Sequence, residues 1–192
     1  MCGRFTNKNS QAIYEEYKIT MEPNFNVAPS TSILTITDKP EMMVWAYNPT
    51  WTKEPFNLIN ARSETLKEKP SFKKAKRCLI IADGWYEWSR NSSNKQPFYF
   101  HLDDNIFAFA GIYTTYQGIN GCAIITREAN QNISDIHHRM PVILDKQDES
   151  FWLNGGDIFN SELSEHIEYY PVRKIVNSPR NNSTECIKQE SI

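Results

Sequence analysis

The chain contains little glycine and cysteine, and it lacks an apolar run long enough to cross a membrane. Only 7 of its 192 residues are glycine and 4 are cysteine. Apolar runs such as residues 78–82 are far shorter than the ~18 residues that a spanning helix needs, and no secretory leader precedes them. No internal repeat is visible, which argues against a solenoid. We therefore expect a soluble, cytoplasmic protein without membrane contacts.

The cysteines and histidines lack the spacing of a metal site. The four cysteines are far apart and form no C-x-x-C pair. The adjacent His137 and His138 cannot share one face of a helix or strand. In a reducing cytoplasm the thiols stay free, and Cys78 and Cys122 open apolar segments that are typical of a core. The sequence thus predicts no metal centre and no disulfide.

Charge is nearly balanced overall but not locally. The formal net charge is −2, which by itself argues against a nucleic-acid-binding protein. Residues 62–77, however, contain seven Lys or Arg and two Glu. Such a run is either a solvated face or a phosphate-binding stripe, and the sequence leaves both interpretations open.

The chain is rich in aromatic residues and in segments with the pattern of β-strands. It contains 10 Phe, 9 Tyr and 5 Trp. Short polar connections at 90–96 and 116–121 favour an antiparallel meander. Ser10 is a candidate cap of a short helix, and 144–153 and 160–168 suggest two more. The predicted strands are 32–37, 42–47, 78–88, 97–102, 106–116 and 122–126.

These elements predict one α+β domain over residues 1–192. Its main feature would be a large, curved, mainly antiparallel, barrel-like β-sheet flanked by a few short helices. Residues 178–192 are polar and are expected to form a tail along the surface. We expect the protein to be a monomer.

The sequence begins MCGRF, so removal of Met1 would leave Cys2 with a free amine beside its own thiol. At pH 7.5 roughly a third of such an amine is unprotonated and nucleophilic. An aldehyde that forms an imine with this amine can be captured by the thiol as a thiazolidine. The alternative is that Cys2 is a small apolar residue at the start of a strand.

A second candidate site is NARSET at residues 60–65. In an extended segment Asn60 and Arg62 point to the same side, since strand side chains repeat every second residue. The amide could orient a carbonyl group and the guanidinium could bind a phosphate. A loop with a surface salt bridge would explain the same residues.

Two further stretches place titratable groups beside apolar strands. Period-two alternation predicts that Asp83, Trp85 and Glu87 share one face, where burial would raise the pKa of Glu87 and make it a proton donor and acceptor near neutrality. In IHHRMPVIL (136–144) a histidine could transfer protons and Arg139 could bind an anion. The alternatives are a solvated Glu87 and histidines bonded to backbone carbonyls.

Together these stretches resemble the SOS response-associated peptidase (SRAP) family. The resemblance extends in order over nearly the whole chain, although Trp45-Ala46-Tyr47, Ile81 and His138 depart from the usual pattern. The shared motifs are MCGRF, NFNVAPS (24–30), NPTW (48–51), NARSET, RCLIIADGWYEW (77–88), FAGIY (109–113), AIIT (123–126), HHRMPVIL (137–144) and YPVRKIVNSP (170–179).

The resemblance implies that Cys2 crosslinks to the aldehyde of an abasic site in single-stranded DNA, with no metal or organic cofactor. It implies an orienting role for Asn60, proton transfer by Glu87 and His137, and a place in the DNA-damage (SOS) response. The protein would then be associated with the nucleoid when bound to DNA. The DNA-binding residues implied are Arg4, Pro29, Trp51, Arg62, Trp88, Thr126 and Arg139.

Two other activities remain open at this point. Cys2 and His137 could cleave peptide bonds, as the family name suggests, or the chain could cleave its own N-terminus. A non-covalent reader of single-stranded or modified DNA would need the basic and aromatic residues but not the amine of Cys2.

Overall fold

The β-strands supply most of the framework. The computed structural model describes residues 2–90, 95–103 and 105–191, and these form thirteen strands in two sheets. The strands are β1 (Phe5–Asn7), β2 (Asn24–Val27), β3 (Ser32–Ile36), β4 (Pro40–Val44), β5 (Asn60–Arg62), β6 (Lys76–Ala82), β7 (Gly84–Trp88), β8 (Pro97–His101), β9 (Phe107–Tyr116), β10 (Ile119–Glu128), β11 (Arg139–Pro141), β12 (Ile143–Leu144) and β13 (Glu168–Pro171).

The helices are short. They are α1 (Ser10–Tyr17), α2 (Gln131–Ser134) and α3 (Lys146–Leu153), with 3-10 turns at Ser63–Thr65, Pro70–Phe72, Glu162–His166, Lys174–Asn177 and Thr184–Ile187. The cap of α1 is Asn9 and not Ser10, because the Asn9 side chain accepts a hydrogen bond from the backbone of Ala12 at 3.1 Å. None of the helices in the described ranges is long and apolar enough to span a membrane.

Five strands of the larger sheet close into a ring. Their order is β10-β4-β3-β6-β9, and β9 pairs again with β10. The β9–β10 hairpin turns tightly at Gln117 and Gly118, which have φ of 50° and 84°. Positive φ at both central residues is what a two-residue hairpin turn requires. Strands β5, β11 and β12 extend this sheet from β10 and β9.

The smaller sheet has the order β13-β8-β7-β1-β2 and packs against the ring. Trp85 of β7 stacks on Phe100 of β8 and meets Phe109 of the ring edge-on. Phe5 of β1 also contacts Phe109. Alternate residues of the ring strands form a second apolar cluster with Ile13 of α1 and Trp152 of α3. The smaller sheet therefore covers one part of the ring, and helices α1 and α3 cover another part.

This architecture confirms the predicted α+β fold with a curved, largely antiparallel, barrel-like sheet. One predicted strand is divided, since 78–88 breaks at Asp83 into β6 of one sheet and β7 of the other. The predicted helix at 160–168 is a 3-10 turn, Glu162–His166. The segment predicted as a polar tail buries Cys186 against Tyr86. The predicted 90–96 turn falls partly on residues 91–94, outside the described residues.

Candidate active site

The site is built around Cys2, which directly precedes β1. Strand β1 pairs with β7, and a hydrogen bond of 3.0 Å from Tyr86 N to Arg4 O continues the pairing toward the N-terminus. This places Cys2 beside the end of β7. Its side chain is fully buried, and the thiol donates to Arg4 O at 3.7 Å. Burial raises the thiol pKa, so the sulfur is a neutral thiol at neutral pH.

Asn60 fixes the backbone of Cys2 from the other sheet. Its Nδ2 donates to the carbonyl oxygen of Cys2 at 2.8 Å. Strand β5 runs parallel to β10, with Asn60 opposite Ile124. The Asn60 Oδ1 is buried and has no hydrogen-bond partner among the described residues. A buried acceptor in this state costs about 1–3 kcal/mol, which a donor on a bound molecule would recover.

Glu87 lies on β7 and is only 2% exposed. Burial raises its pKa from 4.5 to about 7, as expected from its place beside aromatic residues on an apolar strand. Its charge in turn contributes to the raised pKa of the Cys2 thiol, after burial. Glu87 is therefore close enough to Cys2 for its charge to affect the thiol pKa. Near neutrality Glu87 is present both as the protonated acid and as the carboxylate.

His137 faces Glu87, whereas His138 is exposed. The His137 Nε2 is 3.9 Å from the Glu87 Oε2. Its Nδ1 lies 3.1 Å from the backbone nitrogen and 3.0 Å from the carbonyl oxygen of Arg139, which fixes the ring. Burial lowers the His137 pKa to about 4, so the ring is neutral at neutral pH. A small movement would bring the two side chains into hydrogen-bond contact.

Asp83 lies between β6 and β7, so the strand alternation that was expected to place it on the face of Glu87 does not extend to it. The chain breaks between β6 and β7 at this residue. Its carboxylate accepts hydrogen bonds from Thr6 Oγ1 at 2.5 Å and from the backbone nitrogens of Lys8 and Asn9 at 2.6 and 2.7 Å. Asp83 therefore joins the start of β7 to the end of β1 through hydrogen bonds, and it is not part of the Cys2 site.

The three arginines expected to bind phosphate have different environments. Arg62 is exposed and forms no ion pair with a described residue. Arg139 is 7% exposed, and its guanidinium donates to both oxygens of Glu64, at 2.5 and 3.0 Å. Arg4 is half-buried and donates to Asn26 Oδ1, at 3.0 Å. Of the three, Arg62 has the guanidinium that is free for a phosphate.

The other residues expected along a DNA path are also dispersed. Thr126 is fully buried, and its carbonyl oxygen accepts from Arg139 at 2.7 Å. Trp88 is half-buried and donates from its indole to Asn177 at 2.7 Å. Pro29 is half-buried, and Trp51 is 58% exposed. The structure thus brings together Cys2, Asn60, Glu87 and His137, with Arg62 at the end of β5 and Thr126 opposite it on β10.

Sequence reasoning missed Glu64, which belongs to the NARSET motif. The hydrogen bonds from Arg139 lower the pKa of Glu64 to about 2. The only feature of the sequence that points to Glu64 is its position two residues after Arg62. Its partner Arg139 is 75 residues further along the chain, so the pairing cannot be read from the motif. Among the described residues, no group of three or more Cys, His, Asp or Glu side chains is arranged to bind a metal ion.

The fold and the site define a class of protein. Residues 1–179 match the family described as SOS response associated peptidase (SRAP), and the chain belongs to this family. It is 40% identical to "Abasic site processing protein YoqW" of Bacillus subtilis (strain 168), over 98% of this chain and 99% of that one. It is 33% identical to "Abasic site processing protein HMCES" of Mus musculus, over 76% of this chain and 55% of that one.

Solved structures share the fold. A crystal structure of a protein from Bacteroides thetaiotaomicron superposes with a TM-score of 0.80 and 25% identity, over 99% of this chain and all of that one. A phage-related protein of Bordetella bronchiseptica gives a TM-score of 0.71 and 28% identity, over 90% of this chain and 95% of that one.

Proposed function

We propose that this protein processes abasic sites in single-stranded DNA and that Cys2, once Met1 is removed, forms a thiazolidine crosslink with the abasic aldehyde. The relatives named as abasic site processing proteins support the substrate. The chemistry rests mainly on one observation. Glu87, whose pKa is about 7, is close enough to the buried Cys2 to raise the pKa of its thiol, and His137 lies 3.9 Å from Glu87.

The reaction balances without a cofactor. The closed deoxyribose opens to its aldehyde when a proton moves from the C1′ hydroxyl to the ring oxygen. The Cys2 amine adds to C1′, and protonation of the resulting hydroxyl releases one water and leaves an iminium ion. The Cys2 sulfur then attacks the same carbon, its proton is lost, and the nitrogen lone pair is restored. A C–N and a C–S bond replace the carbonyl bond.

Glu87 has the acid-base properties that these steps need. As an acid it can protonate the departing hydroxyl, and as a carboxylate it can take the thiol proton. A base is required because burial keeps the Cys2 thiol neutral. His137 can exchange protons with Glu87 during ring opening. Asn60 holds the Cys2 carbonyl, which limits the rotation of the reacting residue.

The crosslink would protect the strand, since a thiazolidine cannot undergo the β-elimination that breaks DNA at an abasic site. We infer a monomeric protein that acts in the DNA-damage response on the cytoplasmic nucleoid. Exposed Arg62 would attract the phosphates. Substitution of Glu87 by Gln keeps its shape but removes proton transfer, so crosslink formation or reversal should slow by roughly 10²-fold or more.

Denaturing gels with an abasic oligonucleotide test the proposal. The trimmed protein should give a stable shifted band. A form with one bulky residue inserted before Cys2 keeps its methionine, so the Cys2 nitrogen remains an amide and cannot form an imine; it should give no band. Cys2→Ser should give an adduct that needs borohydride for capture. Equal, stable adducts from the trimmed and extended forms would refute the aminothiol mechanism.

The same three forms separate the other activities. A peptidase that uses the Cys2 thiol and His137 would keep turnover on an added peptide in the extended form. A non-covalent reader would bind the oligonucleotide equally well in all forms and leave no shifted band under denaturing conditions. Either result, in place of a crosslink from the trimmed protein, would contradict the proposal.

A further inference from the structure

Asn26, in the motif NFNVAPS, is a buried polar residue that the proposed chemistry does not use. It lies on β2 and is only 3% exposed. A side-chain amide carries two N–H donors and an acceptor oxygen, and burial makes each of them costly to leave unpaired. The partners of the Asn26 amide therefore indicate what this residue does.

The nitrogen of the Asn26 amide binds the C-terminal segment. Its Nδ2 donates, at 3.2, 2.9 and 2.9 Å, to the carbonyl oxygens of Val176, Ser178 and Asn181. The first of these carbonyls lies in the 3-10 turn Lys174–Asn177, and the other two follow it. The Asn181 amide closes the same turn by donating to the Ile175 carbonyl oxygen at 2.8 Å. One side chain on β2 thus fixes a segment 150 residues further along the chain.

The oxygen of the Asn26 amide holds Arg4. The Arg4 Nη1 donates to Asn26 Oδ1 and to the Val176 carbonyl oxygen, both at 3.0 Å. The Val176 carbonyl therefore accepts hydrogen bonds from both side chains, which closes a cluster of these three residues. Arg4 is half-buried, and its Nε and Nη2 have no acceptor among the described residues. The guanidinium is thus held at one nitrogen and can donate from the other two.

This cluster leaves the charge of Arg4 uncompensated. Both acceptors are neutral, and no carboxylate of a described residue pairs with Arg4. Arg139 differs, because Glu64 binds its guanidinium with both carboxylate oxygens. A neutral amide can fix the direction of a guanidinium without neutralising it, so Arg4 stays complementary to an anion such as a phosphate.

The cluster lies close to the reacting residue. Arg4 is two residues after Cys2, or about 7 Å along an extended chain. Its carbonyl oxygen accepts from the Cys2 thiol at 3.7 Å. The C-terminal turn also reaches β7, since Asn177 Oδ1 accepts from the Trp88 indole at 2.7 Å. The turn is therefore attached at Arg4, directly before β1, and at β7, which carries Glu87.

We propose that Asn26 is a positioning residue for DNA binding, which ties the turn Lys174–Asn177 to β2 and directs Arg4 toward a phosphate next to the abasic nucleotide. The C-terminal segment is then part of the binding site. Without Asn26 the Arg4 side chain must be ordered each time a strand binds, which weakens binding about three- to tenfold. This inference rests on the proposed function for the identity of the strand.

A double-mutant cycle tests the coupling between Asn26 and Arg4. The ligand is a dye-labelled single-stranded oligonucleotide with one tetrahydrofuran analogue of the abasic site, which has no aldehyde and so binds reversibly. Fluorescence anisotropy gives its dissociation constant. Asn26→Ala should raise this constant about three- to tenfold in the parent chain. It should have no further effect in the Arg4→Gln chain, because the side chain that it positions is gone.

Asn7→Ala is the matched control for lost stability. Asn7 is a buried asparagine on β1, and its Nδ2 donates to the Ile81 carbonyl oxygen at 2.6 Å. This bond involves neither Arg4 nor the C-terminal turn. Asn7→Ala should therefore lower the melting temperature, as Asn26→Ala does, and leave the dissociation constant unchanged.

Asn181→Ala tests the turn independently of the Asn26 side chain. It removes the bond to Ile175 and keeps the carbonyl that Asn26 binds. Binding should weaken in the parent chain and not in the Arg4→Gln chain. The Asn181 side chain is only half-buried, so this cycle decides the question if thermal melting shows that Asn26→Ala does not fold.

Three results would overturn the inference. They are an unchanged dissociation constant in the positioning variants, an equal loss of binding with and without Arg4, and an equal loss from Asn7→Ala, which would make stability the cause. A failure of the crosslinking gel would refute the proposed function. The anisotropy assay needs no aldehyde, so it would still decide whether Asn26 acts through Arg4.

Discussion

Glu87 and His137 should give the folded protein two opposing pH dependences that cancel in the parent chain. Burial raises the Glu87 pKa from 4.5 to about 7 and lowers the His137 pKa from 6.5 to about 4. Each pKa therefore changes by roughly 2.5, which corresponds to about 3 kcal/mol at about 1.36 kcal/mol per pH unit. Both side chains are less than a tenth exposed, so screening by solvent reduces these values little.

The contributions of Glu87 and His137 to the free energy of unfolding change with pH in opposite directions. The Glu87 pKa is raised by folding, so its contribution is fully present below pH 4.5 and is lost as the pH rises to about 7. The His137 pKa is lowered by folding, so its contribution is present above pH 6.5 and is lost as the pH falls to about 4. Between pH 4.5 and 6.5 the folded pair and the unfolded pair bind the same number of protons. The parent's stability should therefore be insensitive to this pair in that window.

Single substitutions should reveal each component. Glu87→Gln removes the contribution of Glu87 and leaves that of His137. The free energy of unfolding should then fall by about 1.4 kcal/mol per pH unit as the pH drops from 6.5 to 4.5. His137→Asn keeps a polar atom near the position of Nδ1 and should give the opposite slope. The double variant supplies the baseline for all other groups, which completes a double-mutant cycle.

Urea unfolding followed by tryptophan fluorescence at half-unit steps from pH 4 to 8 measures these curves. The expected result is a pair of lines with opposite slopes for the single variants and similar, shallow curves for the parent and the double variant. Parallel curves for all four proteins would refute the reasoning, because they would mean that neither group changes its pKa on folding. Glu87 would then be ionised at neutral pH and could not act there as an acid.

Three other predictions concern residues around the site. Arg62→Ala should lower the magnitude of the salt slope for single-stranded DNA by about 0.7 without changing the melting temperature, and an unchanged slope would exclude a phosphate contact. Arg139→Ala should destabilise the protein in urea by about 1–3 kcal/mol, because the carbonyl of Thr126 loses its donor, whereas a loss below about 0.5 kcal/mol would contradict the buried contact. Gly84→Ala should cost about 1–3 kcal/mol, since its Cβ would lie only 2.2 Å from the buried Tyr99 hydroxyl oxygen; an unchanged urea midpoint would show that the ring can move.

Much of the secondary structure could be predicted because it depends on local pattern. Alternating apolar residues and a short turn are enough to predict β9, β10 and the hairpin between them. The division of 78–88 at Asp83 could not be predicted, since it depends on hydrogen bonds to Thr6, Lys8 and Asn9, more than 70 residues earlier. The cap of α1 was misplaced by one residue, because Asn9 and Ser10 are both good capping residues.

Some of the site residues could be predicted from their motifs rather than from local pattern. Asn60, Glu87 and His137 come from three motifs whose order resembles the SRAP family, and their roles stay predictions. The structure adds that Asn60 and Glu87 lie at Cys2 and that His137 lies against Glu87. It also shows that Arg139 is already paired with Glu64, a relationship that no motif encodes.

The sequence by itself determined where strands form, that a cysteine follows Met1, and which polar side chains interrupt the apolar segments. These properties depend on neighbouring residues, so they can be read along the chain. Only the tertiary structure decided that the His137 pKa is lowered, that Arg62 rather than Arg4 or Arg139 has an unpaired guanidinium among these three arginines, and that Trp51 and Lys73 line one pocket. Each of these depends on burial and on pairing between distant segments, because desolvation and charge interactions act through space and not along the sequence.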